Sequence, residues 1–262
     1  MKWLSLLMLL PLAGAAIVSA LPKGNDKAAK QAALGTTLVV MAATIAMAVG
    51  FQRDNVDLQY VESYAWIPSF GINFALGVDA IALVLILMST ILAPIVVLAG
   101  WNEAHGGRWS VKTFYILILV LETMMIGVFA ATDLFLFYVI FEAMLIPVYF
   151  LIGGYGSGER SAAAVKFLLY SLFGGLLMLA AIIALYVMSG AQGGHTFDID
   201  KLSQLQMSST TQNLLFLGFF IAFAIKAPVW PFHTWLPDAA NSATPGTSVL
   251  LLGVLDKVGT FG

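Results

Sequence analysis

Long apolar stretches separated by short polar segments dominate the hydrophobic pattern of this chain. A helix needs about 20 apolar residues to cross the hydrocarbon core of a bilayer. By that criterion the sequence contains eight candidate membrane spans, which cover residues 3–21, 33–51, 80–100, 113–131, 134–152, 163–189, 213–235 and 245–262. The pattern therefore predicts an all-α polytopic membrane protein with about eight transmembrane helices.

One short segment between the second and third spans has a different period. From residue 72 to residue 78 apolar side chains alternate with Asn73, Ala75 and Gly77, which is the period of a β-strand. Residues 64–67 are a suitable partner strand, so we expect a small β-hairpin outside the membrane, on the periplasmic side. Asp79 and Asp133 each precede an apolar run and are predicted to cap the helices that follow.

The composition agrees with a membrane protein and excludes several classes of soluble protein. Hydrophobic residues make up 60% of the 262 residues and charged residues only 10%, with a net charge of −2. A surface with so few charges would not cover a soluble domain, disorder is excluded, and no basic field exists for nucleic acid. The absence of cysteine excludes disulfides and thiolate metal sites. Three scattered histidines also make a histidine-built metal site improbable.

The positive charges predict the orientation of the chain. If the N-terminus lies outside, the cytoplasmic loops at residues 22–32, 101–112 and 153–162, with their flanks, hold seven Lys and Arg, whereas the outer segments hold three. This count favours eight spans with both ends outside. The alternative, in which the first span is a cleaved signal peptide, would invert the arrangement.

Six charged residues fall inside the predicted spans. Lys166 lies near the inner edge, where its side chain is expected to extend to the membrane surface, and Asp256 adjoins Lys257. The other four are Glu122, Glu142, Lys226 and Lys257. A charge at the centre of a bilayer costs at least ~2.5 kcal/mol, so it is retained only with a partner or a function. From the helical rise, Glu122 and Glu142 lie about 16 and 14 Å from the turn at Asp133 that joins their helices. Lys226 has a similar depth. A buried Glu–Lys pair that opens and closes can move a proton, while a static pair would only fix helix packing.

Prolines follow two of these charges closely. Pro147 comes five residues after Glu142, and Pro228 and Pro231 follow Lys226. A proline removes a helical hydrogen bond, and broken helices that face an ion site are typical of transporters. His233 lies within the second break, where a titratable imidazole favours a proton relay over simple packing.

Four sequence segments together resemble the antiporter-like subunits of respiratory complex I, a proton-translocating NADH:quinone oxidoreductase. The segments are FYVIFEAMLIPVYFLIG at 137–153, GFFIAFAIKAPVWPFHTWLPD at 218–238, SVLLLGVLDKVGTFG at 248–262 and WIPSFGINFALGVD at 66–79. The first is similar to the M-type branch, the counterpart of mitochondrial subunit 4. The similarity covers essentially the whole chain.

The resemblance implies a translocase subunit without a redox centre of its own. It implies proton-carrying roles for Glu142, Lys226, Lys257 and His233, and more weakly for Glu122, which matches only some relatives. NADH, FMN, Fe–S clusters and quinone would belong to partner subunits, with L-type and N-type subunits as membrane neighbours. The implied location is the bacterial plasma membrane, with the mitochondrial inner membrane as the weaker option.

The resemblance also divides the chain. Residues 1–112 correspond to the N-terminal helices and hairpin, and 113–262 to the first of two inverted five-helix repeats, the second being absent here. Two departures stand out: Ala240 replaces a second relay histidine, and Asp256 occupies a position that is commonly apolar. The alternatives are a subunit of a multi-subunit cation/proton antiporter, a membrane subunit of a hydrogenase complex, and a purely structural spacer.

Overall fold

The computed structural model describes residues 2–262 and is mostly helical. Seven helical segments are long and apolar enough to cross a membrane. The predicted eighth span is also helical, but it consists of three consecutive pieces, α11, a π-helical turn and α12. The elements are α1 Trp3–Ala20, α2 Asp26–Val49, β1 Gln59–Ile67, β2 Ile72–Val78, α3 Ala80–Ala99, α4 Val111–Ala130, α5 Leu134–Ala143, α6 Leu145–Tyr155, α7 Arg160–Gly190, α8 Ile199–Ser203, α9 Ser209–Lys226, α10 Trp235–Ser242, α11 Pro245–Leu250, the π turn Leu251–Leu255 and α12 Asp256–Phe261.

The connections between helices gather at two opposite ends of the bundle. At one end the Arg108 N–H donates to the Gly154 carbonyl at 2.7 Å, and the Lys112 ammonium donates to the Ser19 carbonyl at 2.9 Å. At the other end the hairpin binds the start of α1, where Glu62 accepts the Leu4 N–H at 2.9 Å. This arrangement agrees with the predicted grouping of the loops, and the side of the membrane that each end faces stays a prediction.

The predicted hairpin is confirmed, although its first strand is longer than expected. β1 and β2 pair antiparallel through a turn at Pro68–Phe70, and Gly71 closes the turn with a φ of 68°. Both predicted N-caps are also confirmed. The carboxylate of Asp133 accepts the Phe135 and Leu136 N–H groups at 3.0 Å, and its second oxygen accepts the Asn73 N–H of β2 at 2.9 Å. Asp133 therefore joins the hairpin to the start of α5.

Helix ends differ from the predicted spans where prolines intervene. The fifth span is interrupted at Met144, between α5 and α6, because Pro147 lacks the N–H that would continue the ladder. The seventh span, predicted to reach residue 235, ends as a continuous helix at Lys226 because Pro228 and Pro231 follow. Both predicted breaks are thus confirmed, and the second one is the more complete.

Candidate functional site

Lys226 lies at the end of α9 with its side chain in the interior of the bundle. The residue is only 2% exposed, and its ammonium has no hydrogen-bond partner among residues 2–262. The nitrogen lies 4.5 Å from the centre of the Phe141 ring, which offers a weak cation–π contact. Lys226 therefore reaches across to α5, next to Glu142.

Glu142 lies one residue before the end of α5, directly ahead of the Met144 interruption. Its Oε1 atom is buried and has no hydrogen-bond partner within the described part of the chain. The carboxylate fills the space where Gly175 of α7 lacks a side chain, so that a Cβ at this position would overlap with it. A glycine is needed at 175 because the carboxylate lies directly against the helix backbone.

Gly174 and Gly175 are adjacent on α7, and each allows close contact with one of the helices that carry the charged pair, α9 and α5. A Cβ at Gly174 would lie 3.1 Å from the Cα of Ala222 on α9, whereas Gly175 faces Glu142. Small residues let membrane helices approach closely. The charges and prolines of the sequence do not point to these two residues, although adjacent glycines within an apolar span indicate close helix contact.

Glu142 and Lys226 interact through space without a direct ion pair. The charges of Glu142 and Asp256 both act on Lys226. In residues 2–262, however, ion pairs within 4.0 Å occur only between Lys166 and Asp238 and within α8 and its cap, where Lys201 meets Asp198. The sequence predicts that the two side chains meet or lie one water apart. Among residues 2–262 they form no direct ion pair, and a separation bridged by water stays a prediction.

The break after Lys226 is stabilised by an unusual set of backbone hydrogen bonds. The Val229 N–H skips one residue and donates to the Ala224 carbonyl at 2.8 Å, because Pro228 has no N–H to offer. The Ile225 carbonyl instead accepts the indole N–H of Trp235 at 2.9 Å. His233 follows in a 3₁₀ turn, and its Nδ1 atom is buried without a partner in the described residues.

The later part of the break, from Thr234 to Asp238, is held by two contacts to α7. The ammonium of Lys166 pairs with Asp238 at 2.7 Å, and the hydroxyl of Thr234 donates to that of Tyr170 at 2.9 Å. The sequence predicts that Lys166 extends its ammonium toward the membrane surface, and the partly exposed Asp238 of α10 adds a partner that the sequence does not show. These contacts fix α10 beside α7 although the chain between α9 and α10 is irregular.

Glu122 is fully buried on α4 but lies outside this group. Both of its carboxylate oxygens lack a partner among residues 2–262, and its exposure is 0%. No hydrogen bond or ion pair among the described residues joins it to Glu142 or Lys226. Similar depth, as predicted from the sequence, therefore does not bring Glu122 into the pair.

Lys257 was expected to be buried, and within this chain it is exposed. Its neighbour Asp256 turns inward instead, and its buried Oδ1 atom has no hydrogen-bond partner among residues 2–262. Successive residues of a helix point about 100° apart, so one of two adjacent charges faces the interior and the other faces away. The hydropathy of the span could not show which of the two would face inward.

Sequence comparison places residues 131–262 in a known family of membrane proteins. These residues match the family model described as NADH:quinone oxidoreductase/Mrp antiporter, TM. The chain is 46% identical to NADH-quinone oxidoreductase subunit M of Mycobacterium tuberculosis and 41% identical to that of Rhodobacter capsulatus, over 99% of this chain in both cases. It is 36% identical to NADH-ubiquinone oxidoreductase chain 4 of Marchantia polymorpha. The chain spans 53%, 52% and 51% of these relatives, about half their length.

Comparison of folds agrees with the sequence comparison. A chain of respiratory complex I from Thermus thermophilus superimposes with a TM-score of 0.83 at 30% identity, over 98% of this chain and 51% of that one. A chain of the Mrp complex from Dietzia sp. shares the fold, with a TM-score of 0.81 at 22% identity over 98% of this chain and 27% of that one. The broken helices and buried charges described above thus lie on a scaffold that these complexes share, and the chain belongs to the NADH:quinone oxidoreductase/Mrp antiporter transmembrane family.

Proposed function

We propose that this chain is the N-terminal half of a proton-translocating M-type membrane subunit of an NADH:quinone oxidoreductase. The observation that carries the proposal is the half-buried Glu142, with its Oε1 atom in the interior, beside the buried Lys226, each next to a helix interruption. The relatives that match nearly all of this chain are named as subunits of that enzyme. In this proposal the second five-helix repeat lies beyond residue 262, and residues 113–262 form the first.

The chemistry of the pair follows from its surroundings. An ammonium and a carboxylate in an apolar interior are stabilised by each other's charge, and each loses that stabilisation when the other is neutralised or moves away. A proton that passes from the Lys226 ammonium to the Glu142 carboxylate leaves a neutral amine and a neutral acid. A small movement at either proline break would therefore change which of the two states is favoured. Such a movement would couple proton uptake to events elsewhere in the assembly.

The remaining candidate residues take their places around this pair. His233, whose Nδ1 is buried and unpaired, lies in the break next to Lys226 and would pass protons between the pair and the aqueous end of the break. Glu122 would lie apart from this pair, on α4, as a separate buried carboxylate. In this proposal the chain carries no redox centre. NADH, FMN, Fe–S clusters and quinone would be held by partner subunits, with L-type and N-type subunits beside it in a bacterial plasma membrane.

A cation/proton antiporter subunit is the second candidate, because the family includes Mrp antiporters and one of their chains shares the fold. The identities favour the oxidoreductase: 46% with subunit M of an NADH-quinone oxidoreductase, against 22% with the Mrp chain. The two candidates differ in their driving force, which is electron transfer in one and a cation gradient in the other.

The test uses the full-length protein in its complete assembly, reconstituted in sealed vesicles. Glu142→Gln and Lys226→Ala should each lower NADH-driven proton translocation by about tenfold or more, as expected for loss of a proton-transfer group. NADH oxidation by a soluble acceptor should be unchanged, which shows that the assembly is intact. Normal translocation per electron in both variants would overturn the proposal and leave a static pair. Cation-driven proton movement without NADH would favour the antiporter.

A further inference from the structure

We infer that Asp256 is the next proton carrier after Lys226 and links the buried pair to Lys257 at the surface of this half. This inference rests on the proposed function and extends it. It assigns a role to a carboxylate that the proline and charge pattern left unexplained. Its evidence is the placement of three charges on two helices that touch.

Helices α9 and α12 are in close contact. A Cβ at Gly259 would lie 2.5 Å from the Ala227 backbone nitrogen and 2.7 Å from the Phe223 carbonyl oxygen. The two backbones therefore meet with no side chain between them, one residue past Lys226. Asp256 lies three residues before Gly259, on the neighbouring turn of α12, and so on the side of the helix that faces α9.

Asp256 and Lys226 both carry a polar atom without a hydrogen-bond partner among the described residues. Asp256 Oδ1 and Lys226 Nζ are both buried, and neither has a hydrogen-bond partner within residues 2–262. They lie on α12 and α9, whose backbones meet at Gly259. Leaving a polar group unpaired in the interior is costly, so such groups in native structures are expected to have a function or a water partner. Lys226 is thus flanked by two carboxylates, Glu142 on α5 and Asp256 on α12.

A π turn directly precedes Asp256. Residues Leu251–Leu255 form one wide turn, which adds a residue to the normal helical repeat and rotates everything that follows. The rotation directs Asp256 to the interior and Lys257 to the surface. The two residues are adjacent in the chain but face different surroundings. A proton on Asp256 would therefore have one basic group on the inner side and another on the outer side.

The transfer can be written in two balanced steps. The Lys226 ammonium gives its proton to the Asp256 carboxylate, which leaves a neutral amine and a neutral carboxylic acid. The acid then gives the proton, through water, to Lys257 in its neutral form, which restores the carboxylate and yields an ammonium. No oxidant or reductant is needed, and Lys226 is free to take the next proton from Glu142.

The test compares Asp256→Asn and Asp256→Leu with Asp256→Glu in the full-length protein within its assembly. Asn keeps the shape of the side chain but does not exchange a proton in this way, and Leu fills the site with an apolar group. Both should lower proton translocation per electron by about tenfold, while Asp256→Glu should keep most of it. Asp200→Asn, in the exposed first turn of α8, is the matched control and should behave as the native protein. Where one of the two disabling variants fails to assemble, the other decides.

A second measurement separates a proton carrier from a fixed counter-charge that only holds Lys226 in place. Redox-induced infrared difference spectra should contain a protonated-carboxyl band that Asp256→Asn removes and Glu142→Gln does not. Normal translocation in Asp256→Asn and Asp256→Leu, or no band assignable to Asp256, would overturn the inference. If Glu142→Gln is impaired while these variants are normal, only this inference fails. If Glu142→Gln and Lys226→Ala are normal as well, the proposed function fails with it.

Discussion

The indole N–H of Trp235 donates to the Ile225 carbonyl at 2.9 Å, ten residues earlier in the chain and across the irregular segment 227–231. Trp235 is 1% exposed, and the carbonyl is one that the proline break leaves without its usual helical donor. A single side chain from after the break therefore satisfies the backbone before it. The same contact holds the turn that contains His233 close to the end of α9, which carries Lys226.

Replacement of Trp235 by Phe should destabilise this region, because the aromatic volume is mostly kept while the Ile225 carbonyl loses its donor. A buried acceptor left unpaired costs about 1–3 kcal/mol. The melting temperature of the purified full-length protein should therefore fall in Trp235→Phe. Trp230→Phe is the control, since Trp230 is 80% exposed. Equal melting temperatures for the two variants would show that the indole hydrogen bond does not stabilise the break.

Gly175→Ala should disturb the site without changing any charge. The added methyl group overlaps with the Glu142 carboxylate, so the side chain must leave its present position beside Gly175. Displacement of a reacting group by about 1 Å can cost up to about a hundredfold in rate, and we expect proton translocation to fall accordingly.

A second substitution, Glu142→Asp, should partly restore the proton translocation that Gly175→Ala lowers. Glu142→Asp withdraws the carboxylate by one methylene, so the double variant should translocate more protons than Gly175→Ala alone. Gly35→Ala, on the exposed face of α2 with no atom within 4 Å of the added Cβ, should have no effect. A lack of effect in Gly175→Ala would mean that Glu142 is free to move without loss of function.

The sequence predicted the main features of the fold because the features of membrane helices are strong and local. Apolar length, the alternation from Ile72 to Val78, the caps at Asp79 and Asp133 and the proline breaks all appear in the structure where they were expected. These patterns depend on only a few neighbouring residues. They predict which segments form helices and where those helices are interrupted.

What the sequence could not predict depends on contacts between distant segments. The exposure of Lys257, the inward turn of Asp256 and the pairing of Lys166 with Asp238 follow from helix rotation and from the neighbours that the bundle provides. The π turn before Asp256 has no clear signature in its residues, Leu251–Leu255. The depth of Glu122 was estimated from the helical rise alone, and such an estimate does not include the direction of its side chain.

The orientation in the membrane can be tested directly because the chain contains no cysteine. Asn25 and Asn55 lie in exposed connections at opposite ends of the bundle. Single cysteines in place of each should react with an impermeant thiol reagent from opposite sides, with Asn25→Cys labelled from the cytoplasm. Labelling of Asn25→Cys from outside in intact cells would contradict the orientation that the positive charges predict.

Lys257 is exposed within this chain, although the sequence predicts that it is buried. An exposed lysine in a span must face lipid, a partner or a further part of the same protein, and a charge in lipid is costly. If Lys257 carries protons from Asp256, its ammonium must be able to lose a proton. Arginine keeps the positive charge but does not lose its proton in proteins. Lys257→Arg should therefore impair proton translocation nearly as much as Lys257→Ala. Lys201→Ala, in the exposed α8 segment, is the control and should leave translocation unchanged. Native translocation in Lys257→Arg together with loss in Lys257→Ala would show that a fixed positive charge is sufficient. In that case the second transfer step, from Asp256 to Lys257, would be wrong, and the proton would leave Asp256 by another route.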